Sequence, residues 1–241
     1  MTDSMMSEPP APHSGGWNIF VADADRMRVK KAISQAQTYY RAVTYISAVR
    51  WLNLETRLHL FLYLPISRRV DVLEKKVTNL SQRLAKSRNQ ASMANNDDVF
   101  AEIPSFAVER CVVWQASLFR RQESKDFLTC LIDCGTKVSV FPREHLGLLK
   151  NSMSATAYEY TRETQPREFF VIDVASRQKD PVTVAWWGDG RNIARASPNE
   201  SADYADIFDA LWDKGLRLEN DEMVRNIETH LTGLIRSWEY G

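Results

Sequence analysis

Residues 127–150 read FLTCLIDCGTKVSVFPREHLGLLK, and the fold turns on how this stretch is read. FLTCLIDC is an unbroken apolar run of strand length bounded by Gly135-Thr136. KVSVFP is a second run rich in β-branched residues and closed by Pro142. REHLGLLK, residues 143–150, then has helical spacing. The sequence therefore predicts a hairpin around Gly135-Thr136 followed by a helix. Its apolar residues serve as frame, leaving Lys137 and Arg143 as plausible contacts.

Working outward, AVERCVVWQASLFRR before this stretch reads as one long strand. ATAYEYT, REFFVIDVAS and VTVAWWG after it read as three more, the last two joined by RQKDP. Gly188-Asp189-Gly190 is a turn, since no Lys-Ser/Thr follows to make a phosphate loop. Two helices follow: SADYADIFDALWDK, capped by Ser201, and NDEMVRNIETHLTGLIRSW, capped by Asn220.

On the N-terminal side, MTDSMMSEPPAPHSGG is polar and Pro-rich and is expected to be disordered over residues 1–16. Val29, Ile33, Ala36, Tyr40 and Val43 recur at helical steps, predicting a helix from Ala22 to Leu64 that Pro65 ends. Its end, residues 58–64, is apolar almost all round and needs a covering partner or lipid-like surface. The longer run WLNLETRLHLFLYLP carries Glu55, Arg57 and His59, is broken by Pro65 and is too short for a membrane span. Next, Val70, Leu73, Val77, Leu80 and Leu84 step 3, 4, 3, 4. Such a seam, with Val first and Leu fourth, favours a two-stranded coiled coil and hence self-association. NQASMANNDDVFAEIP, residues 89–104, reads as a linker.

The net charge of zero conceals a split. Residues 16–91 hold 14 Lys and Arg against 5 Asp and Glu, residues 105–195 hold 13 against 11, and residues 196–241 hold 4 against 10. A basic first part and an acidic last part suggest an anion-facing arm and a repelling end. Cys111, Cys130 and Cys134 all fall in apolar strand-like runs with no metal spacing, so they read as buried thiols of a reducing cytoplasm. His13, His59, His145 and His230 are scattered, and no hydrolase or metalloprotease motif is present. Asp133 and Asp173 end apolar strands without the Glu-x-Lys that a nuclease would add. No catalytic residue, cofactor or metal is assigned, and the reading is of a non-enzyme.

The segment LIDCGTKVSVFPREHLGLLKNSMSATAYEYTRETQPREFFVIDV resembles the central part of the OB domains of the tRNA-anticodon, nucleic-acid-binding type. Asp133, Gly135, Val138, Val140, Phe141, Pro142, Leu146, Leu149, Phe170, Ile172 and Val174 stand in matching places. The likeness covers about 90 residues. It departs from the family at Asn151–Ser154, where a glycine is usual.

The resemblance implies an OB-like antiparallel β-barrel of five to six strands over 105–195; with the helical, coiled-coil arm over 17–88 and the acidic helical segment over 196–241 read from their periodicity, the chain is expected to be α+β. It also implies single-strand binding by a basic groove with aromatic platforms. The residues this assigns are Arg120, Arg121, Lys125, Lys137, Tyr158, Tyr160, Arg162, Arg167, Phe169, Arg177, Lys179 and Trp187. Lys30, Lys31, Arg68, Arg69, Lys75 and Lys76 of the arm would add charge.

A second resemblance links LPISRRVDVLEKKVTNLSQRL to the helix-then-coil segment of polyester-granule proteins, the phasins and the accessory subunit of polyhydroxyalkanoate synthase. It implies a structural adaptor, with residues 58–64 on a granule or membrane surface.

Overall fold

The run AVERCVVW lacks a polar face, and as strand β2 (Ala107–Trp114) seven of its eight residues are buried. A strand covered on both sides belongs in the middle of a sheet flanked by helices. The computed structural model, which describes residues 27, 31–45, 64–89, 106–162, 168–174, 182–187 and 192–240, shows that sheet. Its other strands are β1 (Ala36–Thr44), β3 (Lys137–Pro142), β4 (Glu168–Val174), β5 (Val182–Trp187), β6 (Asn192–Arg195) and β7 (Leu216–Leu218). The strand order is β6-β5-β4-β1-β2-β3-β7. β1, β2 and β3 are parallel, while β4, β5 and β6 continue antiparallel from β1 and β7 pairs antiparallel with β3.

The chain is α+β, but the sheet is open, with β6 and β7 at its edges. The closed antiparallel barrel expected over 105–195 is therefore replaced by a mixed sheet, and β1, from the expected arm, lies at its centre. The physical reason is the stretch 127–134. It is not a strand: helix α2 (Gln122–Asp133) runs through it and buries Ser124, Phe127, Leu128 and Leu131, a single helical stripe. Gly135 is not a hairpin tip either. It sits at φ 72° and ends the helix, its N–H donating to Ile132 O (2.7 Å) and that of Thr136 to Leu131 O (3.0 Å). This is a Schellman stop, which uses a left-handed residue to satisfy the last carbonyls.

With α1 (Leu64–Asn89) joining β1 to β2 and α2 joining β2 to β3, two parallel crossovers stand in succession. Right-handed crossovers in the order 1-2-3 place both helices on one face. Val72 of α1 and Phe127, Leu128 and Leu131 of α2 accordingly share a core with Tyr40, Val108, Val112, Trp114, Val138, Val140, Phe170 and Ile172. The opposite face packs Val43, Cys111, Val113, Phe141, Phe169 and Val171 under α3 (Ala155–Arg162) and α4 (Pro198–Lys214). ATAYEYT, expected as a strand, is thus helix α3, with Ala157 and Thr161 as its buried i, i+4 pair.

Several boundaries also shift. The expected helix 22–64 gives way at Ala36 to β1, whose YYRAVT is rich in strand-favouring residues. The rest of that segment to residue 63, the apolar run 58–63 and most of the 89–104 linker lie outside the described residues. Helix α4 is capped by Ser197, not by Ser201, which is buried within it. Ser197 Oγ accepts from Glu200 N–H (3.3 Å), and a Glu200 carboxylate oxygen accepts from Ser197 N–H (2.8 Å), a reciprocal capping box with Pro198 at the first helical position.

Asn220 does cap its helix, but that helix breaks at Asn226 into α5 (Asp221–Arg225) and α6 (Ile227–Tyr240). Among the described residues no helix is long and apolar enough to cross a membrane.

Candidate functional site

Among the described residues, those assigned to a nucleic-acid face are not brought together. Arg120 and Arg121 lie at the junction of the 3-10 helix Ala116–Arg120 with α2, and Lys125 one turn further on. Arg120 Nε pairs with Glu228 of α6 (3.2 Å), and Lys125 Nζ donates to Arg225 O (3.2 Å). The open groove between that 3-10 helix and α6, about 480 Å³, is lined by Arg120, Glu228, Thr229, Thr232 and Arg236 among others. The ion pair largely cancels its charge.

Lys137 lies at the start of β3 and pairs with Glu109 (3.7 Å). Tyr158, Tyr160 and Arg162 belong to α3, across the sheet from α2. There Arg162 pairs with Glu159 (3.7 Å) and lies over the Tyr158 ring, and Tyr160 stacks on Tyr204. Phe169, taken as an outward platform, is 1% exposed and packs on Tyr204. It is core because helices cover both faces of the sheet, so neither alternate set of β4 is free for a ligand. Arg167, Arg177, Lys179 and the side chain of Trp187 lie outside the described residues.

Two polar groupings missed by the sequence reading occupy the sheet. On the α4 side, Arg41 Nε pairs with Glu109 Oε2 (3.0 Å) and its Nη1 with Asp209 Oδ1 (3.4 Å), while the guanidinium lies over Tyr39 and Phe208. Burial raises the Asp209 carboxyl above the ordinary range, helped by Asp213, Asp206 and Glu109 and opposed by Arg41.

On the α1–α2 side, Arg110 is 2% exposed and donates to Thr44 Oγ1 (2.7 Å). Burial pushes the neighbouring Tyr40 phenol up to about 12, with Arg110 opposing. A buried guanidinium must be bonded in place, and such a network fixes one arrangement of the core more surely than it stabilises it.

Asp173, expected at the end of a strand, binds the first turn of β1. Its carboxylate accepts from the N–H groups of Gln37 (3.2 Å), Thr38 (2.9 Å) and Tyr39 (3.0 Å) and from Thr38 Oγ1 (2.6 Å). Partial burial works to raise its pKa, but these hydrogen bonds outweigh it and hold the carboxyl below the usual range. The position is structural, at a register shift in the β1–β4 pairing.

Cys130 and Cys134 are one helical turn apart, on and just after α2, with Cys130 exposed and Cys134 half-buried. Burial still raises the Cys130 thiol, next to Cys134 and Asp133, so it is not an activated thiolate. Only Cys111 matches the expected buried thiol. Among the described residues no group of three His, Cys, Asp or Glu could hold a metal ion.

What remains solvated and strongly charged is the arm. Helix α1 is tied down at its start: Arg68 Nε donates to Ala36 O (2.9 Å) and Arg69 Nη1 to Gly135 O (2.8 Å), with Pro65 and Val72 buried. Past Leu73 every side chain described in the helix is exposed. Over residues 64–89 seven Lys and Arg face only Asp71 and Glu74, a net of +5. At 1.5 Å per residue, the 16 residues beyond Leu73 carry a net of +4 over roughly 24 Å. No family model matches the chain, and no curated protein matches it.

Proposed function

We propose that this chain is a non-catalytic protein that binds nucleic acid through the phosphate backbone, with α1 as the contact surface. The observation that supports it is the distal part of α1, whose sequence sets Lys75, Lys76, Arg83, Lys86 and Arg88 against Glu74 alone and whose described side chains past Leu73, Lys75 among them, are exposed. Clustered cations on a helix displace counterions from a polyanion, which favours binding without sequence preference. The arm has no aromatic residue, so the base stacking that would distinguish a single strand is not supplied there. Single-stranded nucleic acid, the ligand implied by the OB resemblance, is bound in this proposal by its phosphates, and a duplex serves equally. A reducing, cytoplasmic setting is part of the same reading, in keeping with the exposed free thiol of Cys130.

Fluorescence anisotropy of labelled single-stranded DNA, RNA and duplex at low and moderate salt tests this. Binding of all three that weakens steeply with salt is expected. No binding at low salt would overturn the proposal and favour the adaptor reading, which the exposed Val70 and Val77 also support.

A further inference from the structure

Val70 and Val77 of the seam face away from the body, with Leu73 between them half-buried. At 100° per residue, Val70 and Val77 lie nearly in line, and Val72, which is buried against the sheet, is about 140–160° round the helix from them. Val70 is 48% and Val77 56% exposed, against 6% for Val72. Past Leu73 the described side chains of the helix are all exposed, and a helical stretch without packing is marginal in water, so this one gains from a partner.

We propose that the partner is a second copy of this chain, paired in parallel through Val70, Leu73 and Val77, with positions 80 and 84 continuing the spacing. Valine at the first and leucine at the fourth heptad position select two parallel strands. Charge selects the same orientation. Arg69, Lys76 and Arg83 each precede a first position, and Glu74 follows a fourth. In a parallel pair Arg69 faces Glu74 of the other copy. In an antiparallel pair the three cations would face one another. The seam carries this inference whether or not the arm binds nucleic acid. If it does, pairing sets two basic arms side by side and strengthens binding through effective concentration.

The test is sedimentation equilibrium of the full chain, freed of nucleic acid, beside Val70→Lys/Val77→Lys. Both valines are exposed, so the variant should keep the melting transition of the body and lose only helical circular dichroism from the distal part of α1. A dimer is expected whose dissociation constant rises by about a hundredfold in the variant. Val70→Cys, in a Cys130→Ser/Cys134→Ser background, should cross-link copy to copy under mild oxidation, because a parallel pair in register juxtaposes position 70 with itself, whereas the antiparallel pair would set it opposite position 82.

A chain that stays monomeric at about 100 µM, or a dimer indifferent to Val70→Lys/Val77→Lys, would overturn the pairing. A dimer without the cross-link would overturn its parallel register. A dimer that shows no polyanion binding would sink the proposed function and leave the pairing intact.

Discussion

Replacing Asp173 with alanine removes the acceptor of three backbone N–H groups and one hydroxyl at the start of β1. A hydrogen bond to a charged group contributes about 1.5–3 kcal/mol. The contributions are not additive, and water can reach the half-exposed amides of residues 37–39, so the expected loss is about 2–3 kcal/mol rather than the sum. For a chain of this size that lowers the melting temperature by roughly 4–12 °C. Asp173→Asn keeps one oxygen but not the charge and should lose about half as much.

The sign with pH follows from the depressed carboxyl. A folded pKa below the unfolded value near 3.9 contributes stability that is full above that value and is lost as pH falls through the folded one. Urea unfolding followed by tryptophan fluorescence at neutral and at acid pH measures both effects. The gap between wild type and Asp173→Asn should narrow in acid. An Asp173→Ala chain with an unchanged midpoint at neutral pH would refute the role assigned to this carboxylate.

Gly215→Ala should destabilise by about 2 kcal/mol or more in the same assay, because a Cβ there would lie 2.6 Å from Leu211 O and against Ser139 Oγ. A neutral result would mean that the end of α4 does not pass so close over β3. Phe169→Ala should cost about 3–5 kcal/mol as a core truncation. If it instead left stability unchanged and abolished nucleic-acid binding, the outward reading of that ring would be restored.

The sequence made the existence of β2, β3, β4 and β5 legible through their β-branched and aromatic runs, together with the C-terminal helices and the Asn220 cap. Type failed where two patterns overlap. FLTCLIDC is apolar enough for a strand, but Ser124, Phe127, Leu128 and Leu131 step as a helix once the window starts at Gln122. Gly135-Thr136 serves equally as a hairpin tip or a helix stop, and only the hydrogen bonds of its backbone distinguish them.

The reverse error fell on β1, whose Ala36, Tyr40 and Val43 mimic helical spacing. These two exchanges were enough to turn a parallel three-stranded centre into an apparent barrel. Pairing between β1 and β2 spans more than 60 residues of sequence and leaves no local signature. The site followed the topology. Phe169 looked free only because a barrel exposes one face, whereas the charge of the arm was visible from the start.

The salt dependence of DNA binding by the full chain and by Lys75→Gln/Lys86→Gln/Arg88→Gln tests the central claim most directly. The logarithmic slope for a single strand should fall by about 2, since each phosphate contact contributes about 0.7. Arg120→Gln and Arg162→Gln should leave the slope unchanged. A slope indifferent to the three arm substitutions, or one reduced by those two instead, would contradict it.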